Sequence, residues 1–343
     1  AKKMETSLYV ERLPFIAALR ALSLLVDQRF MFSSSVYARV HAEAVGGTLR
    51  LSATNKATWL STTLPTTGEG RGVFLIPARL VVSVLRNWKA DVVAIAFGSD
   101  SVTFSAPGAS LPCPMGDPGL WTNTEPVDET LRMRFTTEAS ELSRTLACTL
   151  PFAAAQGETD KPQLTAVHVA QAGLHVRWEA ANGHCLGTRT MEASVIDADA
   201  QEDCLLPASA LALWGRVSKG QTTMVAVSWG SRLCRLESGR YRLTARTLVA
   251  RYPELEPIIP KECVIRVSVQ AKPLLQAVRA LVAPMEMPYK SLAIRIGASW
   301  MLLAREPDGA YQATQRVPCE GVEGIDLRAE FTFGIDGQVL LYL

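Results

Sequence analysis

A layout that recurs at a long period restricts the folds open to this chain. Three segments space their apolar residues three and four apart, as a half-buried helix does: residues 13–22, Ala139–Thr149 and residues 272–282. Each follows a short strand-like stretch and precedes alternating text that predicts strands, at 36–40 and 48–52, at 166–170 and 174–178, and at 291–296 and 300–304. A second helix then recurs behind another short strand. It starts at Pro77-Ala78 and runs to Trp88 in the first copy, and runs from Pro207-Ala208 to Val217 in the second. Proline suits a first helical turn because its missing N–H would have no partner there. The third copy is weaker, with Phe333-Gly334-Ile335-Asp336-Gly337-Gln338 leading into Val339-Leu340-Leu341.

The first helices are predicted to start near residues 13, 138 and 270, spacings of 125 and 132, which suit whole duplicated domains rather than a solenoid. Proline- and glycine-rich text at 112–128, and the stretch 251–262, mark the boundaries. The division expected is a domain over 1–115, a second over 128–250 and a third over 262–343, with linkers 116–127 and 251–261. The order strand, helix, strands, helix, strands makes each domain α+β, with antiparallel sheets and helices on one face. Copies one and two carry about 35 residues of strand text after the second helix, whereas copy three stops at Leu343, so the third domain is expected to be short.

Composition removes several classes of function. With 48% hydrophobic and 20% charged residues in 343, the chain can bury a core and is not disordered. Mean hydropathy is +0.13, yet no run of about 18 uncharged apolar residues occurs, and residues 13–26 are broken by Arg20. Ala1-Lys2-Lys3 reads as a remnant ahead of a start methionine, Met4, and not as a signal peptide, so a soluble, cytoplasmic protein with no membrane partner is expected. Thirty-five Lys and Arg against 33 Asp and Glu leave room for a local basic stripe but not for a uniformly basic coat. Seven scattered cysteines without a CxxC pair read as reduced, packed thiols, with neither disulfide scaffold nor zinc site. There is no phosphate loop, GxSxG elbow or HExxH. Gly68-Glu69-Gly70-Arg71-Gly72 reads as a flexible turn between strands. His168 and His175 lie in alternating strand text, where a partly exposed structural histidine is the simpler reading. Asp197, Asp199, Glu202 and Asp203 read as a solvated loop. No metal or cofactor is expected.

Three short motifs then resemble one family. Tyr252-Pro253-Glu254-Leu255-Glu256-Pro257-Ile258-Ile259-Pro260 is similar to its aromatic-Pro-Asp-Tyr-x-x-hydrophobic-hydrophobic-Pro linker between the second and third domains. Ala181-Asn182-Gly183-His184-Cys185-Leu186 resembles its Thr-Asp-Gly-His-Arg-Leu turn, and Ser52-Ala53-Thr54-Asn55 its first-domain Gly/Ala-Thr-Asp turn. The family is the bacterial sliding clamp, the β subunit of replicative DNA polymerase III, and with the Pro-Ala helix starts and the spacing the resemblance covers nearly the whole chain. Departures are Cys185 and Pro257 where the family has arginines, and Pro162 and Gln163 where it often has tyrosines.

The resemblance implies three repeated clamp domains with sheets outside and two helices per domain lining a central hole. It implies a non-catalytic processivity factor for DNA replication, a component of a DNA-directed DNA polymerase (nucleotidyltransferase) holoenzyme. Two chains would close head to tail around duplex DNA. The implied DNA-facing residues are Arg20, Arg29, Arg79, Arg86, Lys89, Arg144, Gln156, Lys161, Arg216, Lys219 and Arg279. Stretches 77–89 and 207–219 contain no Asp or Glu, a bias that suits sequence-independent phosphate screening, although ordinary amphipathic helices with basic edges also fit. Implied partners besides DNA are the polymerase and the clamp loader, docking short peptides in a groove of Leu164, Ala181, Gly183, His184, Cys185, Leu186, Pro253, Pro257 and Ile258. The alternative for those residues is interdomain core and linker stiffening. The implied homodimer contact uses Thr103 and Phe104, around residues 101–106, against Leu281, Val282 and residues 291–296. The competing readings are a clamp-fold DNA-binding or regulatory protein that closes no ring, and an enzyme using His184 with a loop carboxylate.

Overall fold

The computed structural model describes residues 6–26, 38–98, 100–121, 124–195, 203–220, 222–283, 285, 290–305, 313–324 and 331–341. One strand–helix order runs through the chain three times. The first pass is β1 (Thr6–Glu11), α1 (Arg12–Ser23), β2 (Val40–Val45), β3 (Thr48–Thr54), β4 (Thr58–Pro65), β5 (Thr67–Gly68), β6 (Gly72–Ile76), α2 (Ala78–Leu85), β7 (Val92–Phe97), β8 (Ser101–Ala106) and β9 (Ala109–Pro114). The second is β10 (Arg132–Glu138), α3 (Ala139–Thr149), β11 (Ala166–Ala172), β12 (His175–Ala181), β13 (Leu186–Glu192), β14 (Ser194–Val195), β15 (Asp203–Pro207), α4 (Ala208–Val217), β16 (Met224–Trp229), β17 (Leu233–Ser238) and β18 (Tyr241–Arg246). The third is β19 (Arg266–Val269), α5 (Ala271–Val282), β20 (Ser291–Ile296), β21 (Trp300–Arg305), β22 (Thr314–Glu323), β23 (Phe331–Asp336) and α6 (Gly337–Leu340). The class is α+β with antiparallel sheets and few helices, as the periodicities predict.

The chain divides into two compact units, residues 1–252 and 253–343. In the first unit, strands pair in the orders β5-β1-β7-β8-β9, β13-β12-β11-β15 and β14-β10-β16-β17-β18-β4-β3-β2-β6. The last of these is one sheet shared by two passes, because β18 pairs antiparallel with β4 from Tyr241 opposite Thr62 to Ala245 opposite Thr58. In the second unit the order is β19-β22-β21-β20-β23.

Helix placement follows the apolar spacing. α1 buries Phe15, Ile16, Ala18, Leu19, Ala21 and Leu22 while Leu13, Ala17 and Arg20 stay outside. In the second pass, Phe135, Trp178 and Trp229 meet edge to face, with centroids 6.4 and 6.0 Å from the Phe135 ring. α5 buries Ala277, Val278, Leu281 and Val282 against Leu292, Ile294 and Leu303 of the second unit's sheet.

Pro77 and Pro207 stand one residue before α2 and α4, at the cap and not in the first turn. The Pro77 carbonyl takes the first helical bond from Val81 N at 3.1 Å. α2 also ends at Leu85, short of Trp88. The glycine segment 68–72 is not a loose turn. Gly68 pairs with Leu8 of β1, and Gly70 N donates to Ser7 O at 3.1 Å. A Cβ at Gly68 would lie 2.8 Å from that same carbonyl, and at Gly72 2.9 Å from the Phe97 ring. Glycine is needed at 68 because backbone meets backbone, and at 72 because the Phe97 ring leaves no room for a Cβ. All seven cysteines are free thiols. Among the described residues, no helix is long and apolar enough to cross a membrane.

Candidate functional site

The cationic residues sort by helix. α1, α2, α4 and α5 contain no Asp or Glu; their charged residues are Arg12, Arg20, Arg79, Arg216, Lys272 and Arg279. Arg20, Arg86, Lys89, Arg216, Lys219 and Arg279 are exposed and, among the described residues, have no ion-pair partner. Arg79 and Arg86 are seven residues apart, two turns, and so share a face of the α2 segment; Arg216 and Lys219 share one at the end of α4. Arg79 is half-buried and its Nη2 reaches the Ser23 carbonyl at the end of α1, at 3.5 Å. Arg12 lies inside instead, donating to Ala90 O at 2.6 Å.

α3 differs from the others. Glu141 accepts from Arg189 Nη2 at 2.7 Å and from Arg144 Nη1 at 3.1 Å. The Arg189 bond, together with Arg144, holds the Glu141 carboxyl below its ordinary value despite partial burial. Arg144 is exposed and shares this one carboxylate with Arg189, so the three side chains keep one net positive charge. Gln156 and Lys161 are exposed on the loop between α3 and the 3-10 turn Pro162–Thr165, not on a helix. Arg29 lies outside the described residues.

The residues of the implied groove fall in both compact units. In the first unit, the turn joining β12 to β13 is tied by Asn182, whose Oδ1 accepts from His184 N at 3.0 Å and Cys185 N at 2.9 Å. Gly183 takes φ of 95° there, which favours glycine. Ala181 opposite Leu186 closes the hairpin. Leu164 is buried, just ahead of β11, and therefore at the same end of this sheet as the turn. His184 is exposed, whereas Cys185 and Leu186 are half-buried. In the second unit, Pro253, Pro257 and Ile258 are exposed, with Ile258 at 63%, on a segment that makes one 3-10 turn, Glu256–Ile258.

Beneath the turn is a cluster that the sequence reading missed. His168 is buried, not partly exposed; its Nδ1 lies 2.9 Å from Glu179 Oε2 and its Nε2 2.9 Å from Asp203 Oδ2. Arg177 Nε lies 3.2 Å from the second Glu179 oxygen. Tyr252, the last residue of the first unit, stacks on the imidazole at 4.9 Å between centroids. Burial by itself would lower the His168 pKa, but the two carboxylates outweigh it and hold it above its ordinary value. His168 and Glu179 face each other across β11 and β12, a pairing visible in the hairpin register. Asp203 comes from β15, 35 residues away, and had no local signal.

Of the expected dimer residues, the placement of 101–106 at a sheet edge needs correction. β8 is bonded on both sides, to β7 and β9, so residues 101–106 are not a sheet edge. Phe104 is 0% exposed, its ring 6.1 Å from Phe15, and Thr103 is half-buried. Leu281 and Val282 are core residues of the second unit, and residues 291–296 form β20, flanked by β21 and β23. Phe104, Leu281 and Val282 pack in their own cores, whereas Thr103 is half-buried and Ser291 and Arg295 are exposed. The outermost strands of that first sheet are β5 and β9.

Comparison with known proteins follows this geometry. Residues 137–254 match the family model for the central domain of the DNA polymerase III beta subunit. No curated protein matches. The DNA polymerase III subunit beta of Pseudomonas aeruginosa is similar in structure, with TM-score 0.85 and 16% identity over 98% of this chain and 88% of that one. The Bacillus subtilis sliding clamp gives 0.85 and 14% over 98% and 89%. The beta sliding clamp of C. crescentus, solved with polyethylene glycol bound at a beta-motif tethering region, gives 0.84 and 18% over 98% and 89%. The chain has the sliding-clamp fold with a strongly diverged sequence.

Proposed function

We propose that this chain is a divergent, non-catalytic sliding-clamp protein that holds duplex DNA without reading its sequence and tethers replication proteins to it. The observation that carries this reading is the charge of the helices: four of them have cations and no carboxylate, in a chain whose charges are otherwise almost balanced. Phosphates need only such mobile cations, and a protein that slides gains nothing from base contacts. Arg20, Arg79, Arg86, Lys89, Arg216, Lys219 and Arg279 carry the role, while Arg144 is held to a carboxylate that it shares with Arg189. The three passes of the fold are taken as three domains. The turn 181–186 with Leu164 is offered to short peptides of a polymerase or clamp loader, and the resemblance gives Pro253, Pro257 and Ile258 the same role. Cys185 and Pro257 make it apolar where the family is basic.

The test is the salt dependence of duplex binding. Each neutralised phosphate adds roughly −0.9 to the slope of log K against log salt. Arg79→Ala with Arg86→Ala should reduce that slope by up to about two and leave binding indifferent to sequence. An unchanged slope, or a strong preference for one duplex sequence, overturns the reading.

Two head-to-tail chains closing a ring by strand pairing would use the outer side of β9, where Pro112 and Pro114 have no N–H to offer. The second reading, a clamp-fold DNA-binding protein that closes no ring, is favoured by the residues on that strand.

A further inference from the structure

The turn and linker of the second pass have counterparts one pass earlier. Asn55 Oδ1 accepts from Ala57 N at 3.1 Å and Thr58 N at 2.8 Å, as Asn182 Oδ1 does from His184 N and Cys185 N. Lys56 takes φ of 75° where Gly183 takes 95°. Trp59 then stands where Leu186 does, directly after the turn. His41 stacks on Trp121 with centroids 5.3 Å apart, as His168 stacks on Tyr252. Trp121 is followed by Glu125-Pro126-Val127 at the interval at which Tyr252 is followed by Glu256-Pro257-Ile258.

This first copy holds a cavity of about 560 Å³, with Trp59, Trp121, Pro126 and Val127 among its walls. That volume suits a ligand-sized group. α1 packs on β3 and β4, where Leu49, Leu51 and Leu60 are buried. Side chains alternate along a strand, so Arg50, Ser52, Trp59 and Ser61 face the other way and the cavity lies opposite α1. Burial holds the His41 imidazole below its ordinary value, so the Trp121 end is aromatic and uncharged near neutral pH. At the other end Arg50 and Arg242 also line an adjoining cavity of about 380 Å³, with Arg240 and a single carboxylate, Glu237. Arg242 Nε binds Glu237 at 2.6 Å. Arg50, although opposite Glu43 in the strand register, and Arg240 have no ion-pair partner among the described residues. Glu125 is held by Arg235 and Asp128 by main-chain N–H groups, so neither competes for these guanidiniums.

We propose that this cavity is a second peptide-docking site, taking a short extended segment of a partner protein with a bulky apolar side chain flanked by carboxylates. The apolar side chain seats against Trp59 and Trp121, and the carboxylates meet Arg50, Arg240 and Arg242, whose forked donors match them. The row His41, Ser52, Ser61, Arg242 crosses four adjacent strands, about 14 Å, which about four extended residues span. The peptide role offered to turn 181–186 serves as the model for the occupant, but the chemistry differs, since that turn contains no arginine.

Fluorescence anisotropy of a dye-labelled peptide, Asp-Glu-Phe-Leu-Glu-Asp, titrated with the full chain tests it. The wild type should bind, and Trp121→Ala should weaken binding roughly tenfold or more. Arg50→Glu, at an exposed position where folding is not at stake, should weaken it about fivefold or more. The peptide Lys-Lys-Phe-Leu-Lys-Lys should bind at least about tenfold more weakly than the acidic one. No binding by the wild type, equal binding of the two peptides, or unchanged affinity in both variants overturns the proposal. Weaker binding by Ile258→Asp, with Trp121→Ala unaffected, would seat the peptide at the other turn and overturn it too. So would displacement by duplex DNA that depends on Arg79 and Arg86, because those cations belong to a helix. Duplex binding is also read without peptide: loss of its salt slope sinks the DNA-binding reading and leaves this site standing.

Discussion

β18 and β9 close matching hairpins in consecutive passes of one fold, yet β18 lies inside a nine-stranded sheet and β9 is the last strand of a five-stranded one. Their central outward residues differ most. Thr244 is 0% exposed; besides facing Trp59, its hydroxyl donates to Glu125 Oε1 at 2.6 Å and accepts from Arg235 Nε at 3.2 Å. Arg235 Nη2 reaches the same Glu125 oxygen at 2.7 Å, so residue 125, between the first two passes, is tied to β17 and β18 beside the seam. Pro112 offers none of this. Equal topology therefore does not give equal edges; whether a strand is extended depends on the donors its outward residues keep.

The comparison breaks most sharply if the edge chemistry is moved into the seam. Thr244→Pro removes a ladder donor from a buried central strand along with the hydroxyl bonds to Glu125 and Arg235. It should lower unfolding free energy by more than about 3 kcal/mol in urea titration. A loss below about 1 kcal/mol would mean that the β18·β4 ladder does not hold the two passes together.

Asp128 sharpens the comparison from beside the seam. Its Oδ1 accepts from Thr130 N at 3.0 Å and Thr130 Oγ1 at 2.6 Å, and its Oδ2 from Arg232 N at 3.0 Å and Leu233 N at 3.1 Å. These bonds overcome the opposing effect of burial and hold the carboxyl below its ordinary 3.8. Asp128→Ala should cost about 2–3 kcal/mol near neutral pH by stranding three N–H groups, those of Thr130, Arg232 and Leu233. A carboxylate with a depressed pKa stabilises above its unfolded value, so the difference between wild type and variant should disappear as pH falls below 3.8 through the lowered value. A pH-independent difference would assign the cost to packing instead.

His168 lies off the seam and should show the opposite pH signature. Removing it leaves Glu179 buried with only Arg177 near, so His168→Ala should cost about 2 kcal/mol. Its raised pKa makes the stabilisation complete below 6.5 and lost as pH rises through the raised value, so the deficit of the variant should shrink with alkalinity. A deficit growing with pH would show that His168 is neutral in the folded chain.

Much of this architecture was legible in the residues. Helices predicted at 13, 138 and 270 begin at 12, 139 and 271. α4 runs to Val217 and β20 spans Ser291–Ile296, as the spacing predicts. Helix and strand periods reflect the direction of each side chain from its own backbone, and that is local information. The acid-free stretches around α2 and α4 were equally plain, because charge sign needs no coordinates. Three of the residues expected at the dimer contact are buried, for the same reason that the core was found. Phe104, Leu281 and Val282 stand out as apolar, and apolarity alone does not distinguish a core from an interface. Arg144 looked like its neighbours on other helices until Arg189, 45 residues on, was found to share its carboxylate.

By itself the sequence determined the repeated α+β layout, the cationic helices and the turn chemistry at Gly183 and Asn182. Only the tertiary structure decided which strands are edges, that β18 pairs with β4 about 180 residues earlier, and that His168 joins Glu179 to Asp203. The division has a physical cause. Propensity and periodicity act over one or two turns of chain, whereas strand partners and buried ion pairs are chosen by long-range closure, where entropy rises only slowly with loop length and many pairings compete. Pro112 and Pro114 could be read from the first, but their outward orientation, and with it their meaning, came from the hairpin they close.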